Sequence, residues 1–191
     1  MTNILKASVR GTDLIPLEDM LLEESEVFIV GEINAESANN IIQKLMYLDS
    51  KDFGEITLYI NSPGGEVISG LAVYDYIKIM KSPVRTVTIG DAASMSAIIF
   101  LAGEKREMLP HTRILIHDQS YGHMAVSGKK PPEIQCGVDS LNKIRETLAE
   151  IISEKTNKSL DEIYGITAED NYFTVEEAVN FGLATNIFKG K

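Results

Sequence analysis

The sequence predicts an α/β fold in which parallel strands alternate with helices. Short apolar segments bounded by Gly, Pro or polar residues predict strands at 26–30, 56–60, 84–89 and 113–116. The segments between and after them predict helices at 34–48, 67–80, 94–103 and 133–155. Because the connections are short, we expect βαβ units that form one parallel sheet. We expect a single domain over residues 1–191.

Capping residues and apolar spacing support the individual helices. Asn34 is a favourable N-cap. The apolar side chains that follow it recur at helical spacing: Ala38, Ile41, Ile42, Leu45 and Leu48. Pro83 ends the helix predicted at 67–80. The helix at 133–155 is long enough to be an arm that leaves the core, and capping boxes begin at Ser159 and Thr174.

The composition excludes several classes of function. The net charge of −10 disfavours nucleic acid as a partner. Cys136 is the only cysteine, so no internal disulfide and no four-cysteine zinc site can form. No segment approaches the roughly 20 apolar residues of a membrane span, and the first residues lack the apolar run of a secretory signal. We therefore expect a cytoplasmic protein without membrane or nucleic-acid partners.

Ser94 is a candidate nucleophile. It lies in the segment Gly90-Asp-Ala-Ala-Ser-Met-Ser96, at the junction between a predicted strand and a predicted helix. Small neighbours leave room for a substrate, and the start of a helix favours developing negative charge. Two alternatives stay open: Ser94 could cap the helix through its side chain, and Ser96 is a second serine in the same segment.

His117 is the candidate base for that nucleophile. It follows the strand predicted at 113–116, and α/β sheets expose functional groups at the carboxyl ends of their strands. The other histidines, His111 and His123, lie in predicted loops. Asp170, between the last two predicted helices, is the candidate acid that would orient the imidazole. Three further acids remain as alternatives: Asp118, Asp161 and Glu169.

The turn at Asn61-Ser-Pro-Gly-Gly65 could supply an oxyanion hole. Paired glycines permit close backbone approach and leave N–H groups free to bind an oxygen. The same residues also occur in ordinary turns. No Gly-x-x-x-x-Gly-Lys-Ser/Thr motif is present, so the chain is not itself an ATPase of that class.

Five segments together resemble the Clp protease family of proteolytic subunits. They are Leu58-Tyr-Ile-Asn-Ser-Pro-Gly-Gly65, Gly70-Leu-Ala-Val-Tyr-Asp75, Gly90-Asp-Ala-Ala-Ser-Met95, Ile114-Leu-Ile-His117 and Glu176-Glu-Ala-Val-Asn-Phe-Gly-Leu183. Their order and spacing also fit, and the resemblance extends over residues 27–187.

The resemblance implies a crotonase-like α/β fold with a protruding helical handle over residues 118–156. It implies a serine peptidase with Ser94 as nucleophile, His117 as general base and acid, and Asp170 as the partner of the histidine. Backbone N–H groups of Gly65 and Met95 would form the oxyanion hole. The chain would need no cofactor or metal of its own.

The resemblance also implies partners. Members of this family assemble into heptameric rings, single or stacked, around a chamber in which unfolded polypeptides are cleaved. An AAA+ unfoldase ring, which uses ATP, docks outside and feeds substrate inward. Residues 1–25 would form the N-terminal axial segment of such a ring.

The chain departs from the family pattern at several places. Ser96 replaces a glycine, Asp118-Gln119 replaces Gln-Pro, and Glu169 replaces an arginine. Residues 121–132 replace a shorter glycine-rich strand, and Thr57 replaces an aromatic residue of the unfoldase-docking pocket. These changes suggest a divergent paralogue, and one alternative is a weakly active or structural subunit of a mixed ring. A crotonase-type acyl-CoA enzyme is a further alternative on the same fold.

Overall fold

The computed structural model describes residues 2–8, 11–51, 54–119, 128 and 130–190. The strands are β1 (Asn3–Ser8), β2 (Gly11–Pro16), β3 (Glu26–Val30), β4 (Ile56–Ser62), β5 (Val84–Ala93), β6 (Lys105–Met108), β7 (Arg113–Ile116), β8 (Asn171–Phe173) and β9 (Asn186–Ile187). The helices are α1 (Leu17–Glu23), α2 (Ala35–Asp49), α3 (Val67–Ile79), α4 (Met95–Ala102), α5 (Pro131–Thr156), α6 (Leu160–Thr167) and α7 (Val175–Phe181). His123 and most of the divergent segment 121–132 lie outside the described residues.

The central sheet has seven strands and is mostly parallel, which confirms the predicted α/β class. Its main path runs β3-β4-β5-β6-β9, and β1 and β2 form a separate antiparallel hairpin. The sheet branches at β5, because Arg85–Thr88 pairs with β6 whereas Asp91–Ala93 pairs with β7. This second pairing carries β5 past the end predicted at Ile89 and brings the strand directly to Ser94.

Helix α2 covers one face of the sheet with the side chains expected from its spacing. Ala38, Ile41, Leu45 and Leu48 are buried, and Asn34 caps the helix by accepting a hydrogen bond from the N–H of Ser37. Full burial of each large aliphatic side chain contributes about 1.5–3 kcal/mol. The helix packs against β3 and α3, and β3 pairs with β4.

Helix α4 lies in the interior of the protein. All eight of its residues, Met95–Ala102, are buried, and it packs against α3, β5 and α5. The hydroxyl of Thr86 on β5 donates to the carbonyl of Phe100 at 2.9 Å, which locks the helix to the sheet. A residue at the start of such a helix has little freedom to move, and that residue is Ser94.

Helix α5 leaves the core along most of its length. Its buried residues are confined to its last third: Ala149, Ile151, Ile152 and Thr156. The preceding part, which includes Cys136, is exposed or only partly covered. This agrees with the predicted arm. Within the described ranges, none of the helices combines the length and apolar character needed to cross a membrane.

Candidate active site

Ser94 occupies a strained position between β5 and α4. Its backbone has φ +54°, a value that residues other than glycine seldom adopt. The N–H of Ser94 donates to the carbonyl of Leu115 on β7 at 2.9 Å, which helps to hold this conformation. The side chain forms no capping hydrogen bond, so the alternative in which Ser94 caps the helix through its hydroxyl is wrong.

Ser96 is occupied in the core. The residue is fully buried, and its hydroxyl oxygen lies 2.8 Å from the carbonyl oxygens of both Ser62 and Ala93. Ser96 stands where the Clp protease pattern has glycine, and its hydroxyl therefore joins the end of β4 to the end of β5. Of these two serines, Ser94 is the one that lines the pocket described below.

The glycine turn after β4 touches the junction that carries Ser94. Gly64 and Gly65 have φ values of +91° and +150°, which exclude ordinary side chains. A Cβ added to Gly64 would lie 2.6 Å from the carbonyl oxygen of Ala93 and 2.8 Å from the Cβ of Ser94. Gly65 forms an isolated parallel bridge with Ile33, which fixes the other side of the turn.

Two backbone donors remain available at this junction. Gly65 and Met95 both line the pocket beside Ser94. In the described part of the chain, no hydrogen bond engages the N–H of either residue. Met95 is the first residue of α4, where backbone N–H groups lack partners within the helix. The two groups could stabilise a negatively charged oxygen formed next to Ser94.

His117 and Asp170 are brought together by the pairing of β7 and β8. The strands are antiparallel, with Ile116 opposite Asn171, so the residue that follows β7 meets the residue that precedes β8. Nδ1 of His117 lies 3.2 Å from Oδ1 of Asp170. A neutral imidazole that directs its Nδ1 proton to this carboxylate has Nε2 free to accept a proton.

The loop that contains Asp170 is anchored by polar contacts. The side-chain amide of Asn171 donates to the carbonyl of Ile166 at 2.5 Å. The N–H of Asp118 donates to the carbonyl of Thr167 at 2.6 Å. The first bond joins the start of β8 to α6, and the second joins the segment after β7 to the end of α6. Together they limit how far Asp170 can move from His117.

A cross-strand ion pair supports the same region. Arg113 on β7 donates two hydrogen bonds to Asp91 on β5, at 2.7 and 3.1 Å, and its guanidinium lies over the ring of Tyr172 on β8. The hydrogen bonds from Arg113 lower the pKa of the Asp91 carboxyl below its usual value. Both side chains are half exposed, so the pair adds little stability. It does connect the strands that carry the three candidate residues.

Among the described residues, neither the competing acids nor His111 pairs with His117. Asp118 pairs with Arg145 of α5, whose Nε lies 2.7 Å from the carboxylate. Asp161 is exposed in the first turn of α6, Glu169 is exposed beside Asp170, and His111 is exposed in a turn before β7. Asp170 is the acid in contact with His117.

Ser94 and His117 line one pocket of about 240 Å³. Its apolar lining comes from Val67, Ile98, Ile116, Leu148 and Ile152. Among the described residues, no hydrogen bond joins the hydroxyl of Ser94 to His117. Such bonds are often long in unliganded enzymes and shorten when substrate binds. A nucleophile, a base and two oxyanion donors around one pocket are the groups that acyl transfer requires.

Arg145 is a site residue that sequence reasoning did not identify. It lies on the same face of α5 as Leu141, Leu148 and Ile152, where an apolar residue would be expected. A cation on an apolar stripe is a signal for a buried acidic partner, but the spacing does not reveal which acid. The partner, Asp118, is 27 positions away in sequence.

Comparison with known proteins identifies the family of this chain. The family model described as Clp protease matches residues 10–191. A curated relative, the "ATP-dependent Clp protease proteolytic subunit" of Carsonella ruddii (strain PV), is 34% identical over 193 residues, and the alignment covers 100% of this chain and 97% of the relative. The chain belongs to the Clp protease family, whose members are peptidases that assemble into oligomers and act with Clp ATPases.

Proposed function

We propose that this chain is the proteolytic subunit of an ATP-dependent Clp protease and that it is a serine peptidase acting on unfolded polypeptides. The observation that carries the proposal is the convergence of Ser94, His117 and the free N–H groups of Gly65 and Met95 on one pocket. The 3.2 Å contact between His117 and Asp170 supports the same assignment. ATP would be used by the partner ring, and we assign no cofactor to this chain.

In the proposed mechanism, the hydroxyl oxygen of Ser94 attacks the carbonyl carbon of the scissile peptide bond. Nε2 of His117 takes the hydroxyl proton, and Asp170 stabilises the imidazolium that forms. The carbonyl oxygen becomes an oxyanion that accepts hydrogen bonds from Gly65 and Met95. His117 then gives its proton to the departing amine as the C–N bond breaks. Water, activated by His117, hydrolyses the acyl-enzyme and restores Ser94.

The backbone donors should make a large contribution to the rate. Removing one oxyanion donor from a serine peptidase costs about 10²–10³ in kcat. Gly65 and Met95 are held by an interior helix and a bridged turn, so they need not reorganise as the oxyanion forms. The conformation of Ser94 belongs to the same arrangement, because its positive φ turns the chain from β5 into α4.

Labelling with a fluorophosphonate probe tests the proposed nucleophile. These probes react with serine hydroxyls that a neighbouring base activates, so we expect the purified chain to be labelled on Ser94. The modified residue is identified by mass analysis of the digested protein. The Ser94→Ala variant should not react, whereas Ser140→Ala, an exposed serine of α5, should react like the parent chain. Labelling mapped to Ser96, or none even after a second Clp proteolytic subunit is added, would contradict the assignment.

Replacement of Asp170 tests the third member of the triad. The Asp170→Asn variant should lose about 10⁴-fold in kcat for cleavage of an unfolded reporter protein, because the histidine loses the carboxylate that orients and stabilises it. Asp161→Asn is the matched control, since this competing acid is exposed in the first turn of α6. A small effect of Asp170→Asn would show that His117 works without this acid.

We propose that the chain acts as one peptidase domain, with residues 118–156 as the handle and residues 1–25 as the axial segment of a heptameric ring that docks an AAA+ unfoldase. A stacked double ring and a mixed ring with a second proteolytic subunit are the alternatives. The exposed Glu169, found where the family has arginine, favours the mixed ring, because the reversed charge would alter contacts between rings.

Native mass measurement of the purified chain distinguishes these assemblies. A seven-subunit species is expected for a single ring and a fourteen-subunit species for a stacked pair. Assembly only after a second Clp proteolytic subunit is added would establish the mixed ring. A chain that remains monomeric with and without such a subunit would contradict all three arrangements.

A further inference from the structure

Two acids are neighbours of His117, one in sequence and one across the sheet, and among the described residues the carboxylate that contacts it is that of Asp170. Asp118 follows the histidine directly in sequence and lines the same pocket, whereas Asp170 reaches it across the β7–β8 pairing. The side chain of Asp118 is 28% exposed and that of Asp170 is 64% exposed. Charges interact more strongly where water is excluded. An unpaired Asp118 would therefore be a strong competitor for the imidazole.

Arg145 holds Asp118 in an ion pair. Its Nε lies 2.7 Å from Oδ2 of Asp118, and because the N–H is not aligned with the carboxylate the contact is an ion pair without a hydrogen bond. The guanidinium is itself held in place, because it lies 4.4 Å from the centre of the Tyr164 ring and donates to the carbonyl of Tyr164 at 3.5 Å. Arg145 comes from α5 and Tyr164 from α6, so two helices fix the cation opposite Asp118.

We propose that Arg145 is a positioning residue: by pairing with Asp118, it keeps that carboxylate from His117 and leaves Asp170 as the partner of the imidazole. The inference rests on the proposed serine-peptidase mechanism and assigns a role to residues outside the triad. It also explains how this chain accommodates an acid directly after the histidine, at a place where an unpaired carboxylate would interfere with the base.

The interference would have two physical consequences. A free Asp118 carboxylate could draw the imidazole away from the geometry set by Asp170, so fewer molecules would have Nε2 directed toward Ser94. It would also add a second negative charge that favours the imidazolium, which cannot accept the proton of Ser94. Among the described residues, the charged groups that contact His117 or line its pocket are Asp170, Asp118, Arg145 and Glu66.

A double-mutant cycle tests the proposal. The rate of fluorophosphonate labelling at Ser94 is measured from pH 5.5 to 9 for the parent chain and for Arg145→Met, Asp118→Asn and the double variant. We expect Arg145→Met to slow labelling by about tenfold in the parent background and by less than about twofold when Asp118 is already Asn. The Arg145→Lys variant keeps the positive charge, so its labelling rate should be close to that of the parent chain.

The pH profile gives a second readout that simple loss of packing would not produce. The acidic limb of the labelling profile should move upward by about 0.5 pH unit or more in Arg145→Met, because the Asp118 carboxylate, no longer neutralised by a cation, favours the imidazolium. The acidic limb should return to its position in the parent chain when Asp118 is also replaced by Asn. If Arg145→Met does not fold, as judged by circular dichroism, Arg145→Gln takes its place in the cycle.

The results separate this inference from the proposed function. A parent chain that is not labelled at Ser94, even after a second Clp proteolytic subunit is added, contradicts the proposed serine mechanism itself. A parent chain that is labelled, together with equal losses from Arg145→Met in both backgrounds, overturns the inference and assigns Arg145 a structural role. A loss of labelling rate in the parent background alone, together with an upward shift of the acidic limb, establishes the positioning role of Arg145.

Discussion

The close contact between the Gly64–Gly65 turn and the β5–α4 junction is the constraint on which the rest of the site depends. Three chain segments meet there: the end of β4, the segment after β3 through the Ile33–Gly65 bridge, and the start of α4. A Cβ on Gly64 would lie 2.9 Å from the backbone nitrogen of Met95. The contact therefore requires glycine, and it places beside Ser94 two N–H groups, of Gly65 and Met95, that form no hydrogen bond within the described residues.

One part of the site is formed by rigid backbone elements, and the other part is formed by side chains. The proposed nucleophile and both proposed oxyanion donors are set by strand ends, by the buried helix α4 and by the hydrogen bond from Ser94 to Leu115. The proposed base and its proposed acid depend on how His117 and Asp170 face each other across the β7–β8 pairing. Their contact is sensitive to nearby charge, which gives the ion pair between Asp118 and Arg145 its importance.

Much of the fold could be predicted from local sequence. Short apolar runs identified β3, β4, β5 and β7, and N-cap residues such as Asn34 and Thr174 marked the starts of helices. β6 escaped prediction because its residues, Lys-Arg-Glu-Met, are mostly charged, and their strand conformation depends on pairing with β5 and on the ion pair between Arg85 and Glu107. The N-terminal hairpin gave no clear signal because its strands are largely exposed.

Local sequence also predicted the positions of part of the candidate site. Ser94, His117 and the glycine turn stand at strand ends, so their positions follow from the order of elements. The residues alone did not distinguish Asp170 from Asp118, Asp161 and Glu169, and the choice of Asp170 came from the family resemblance. Only the register of β7 with β8 and the pairing of Asp118 with Arg145 distinguish them. Contacts between distant segments, rather than local patterns, decide such questions.

The most direct test of the central claim is an experimental structure of the assembled protein after reaction with a fluorophosphonate. The account predicts a phosphorus atom bonded to the hydroxyl oxygen of Ser94, with one phosphoryl oxygen about 2.7–3.1 Å from the backbone nitrogens of Gly65 and Met95. His117 should face Asp170 while Asp118 remains with Arg145. An adduct whose oxygen avoids both nitrogens, or a His117 turned toward Asp118, would contradict the account.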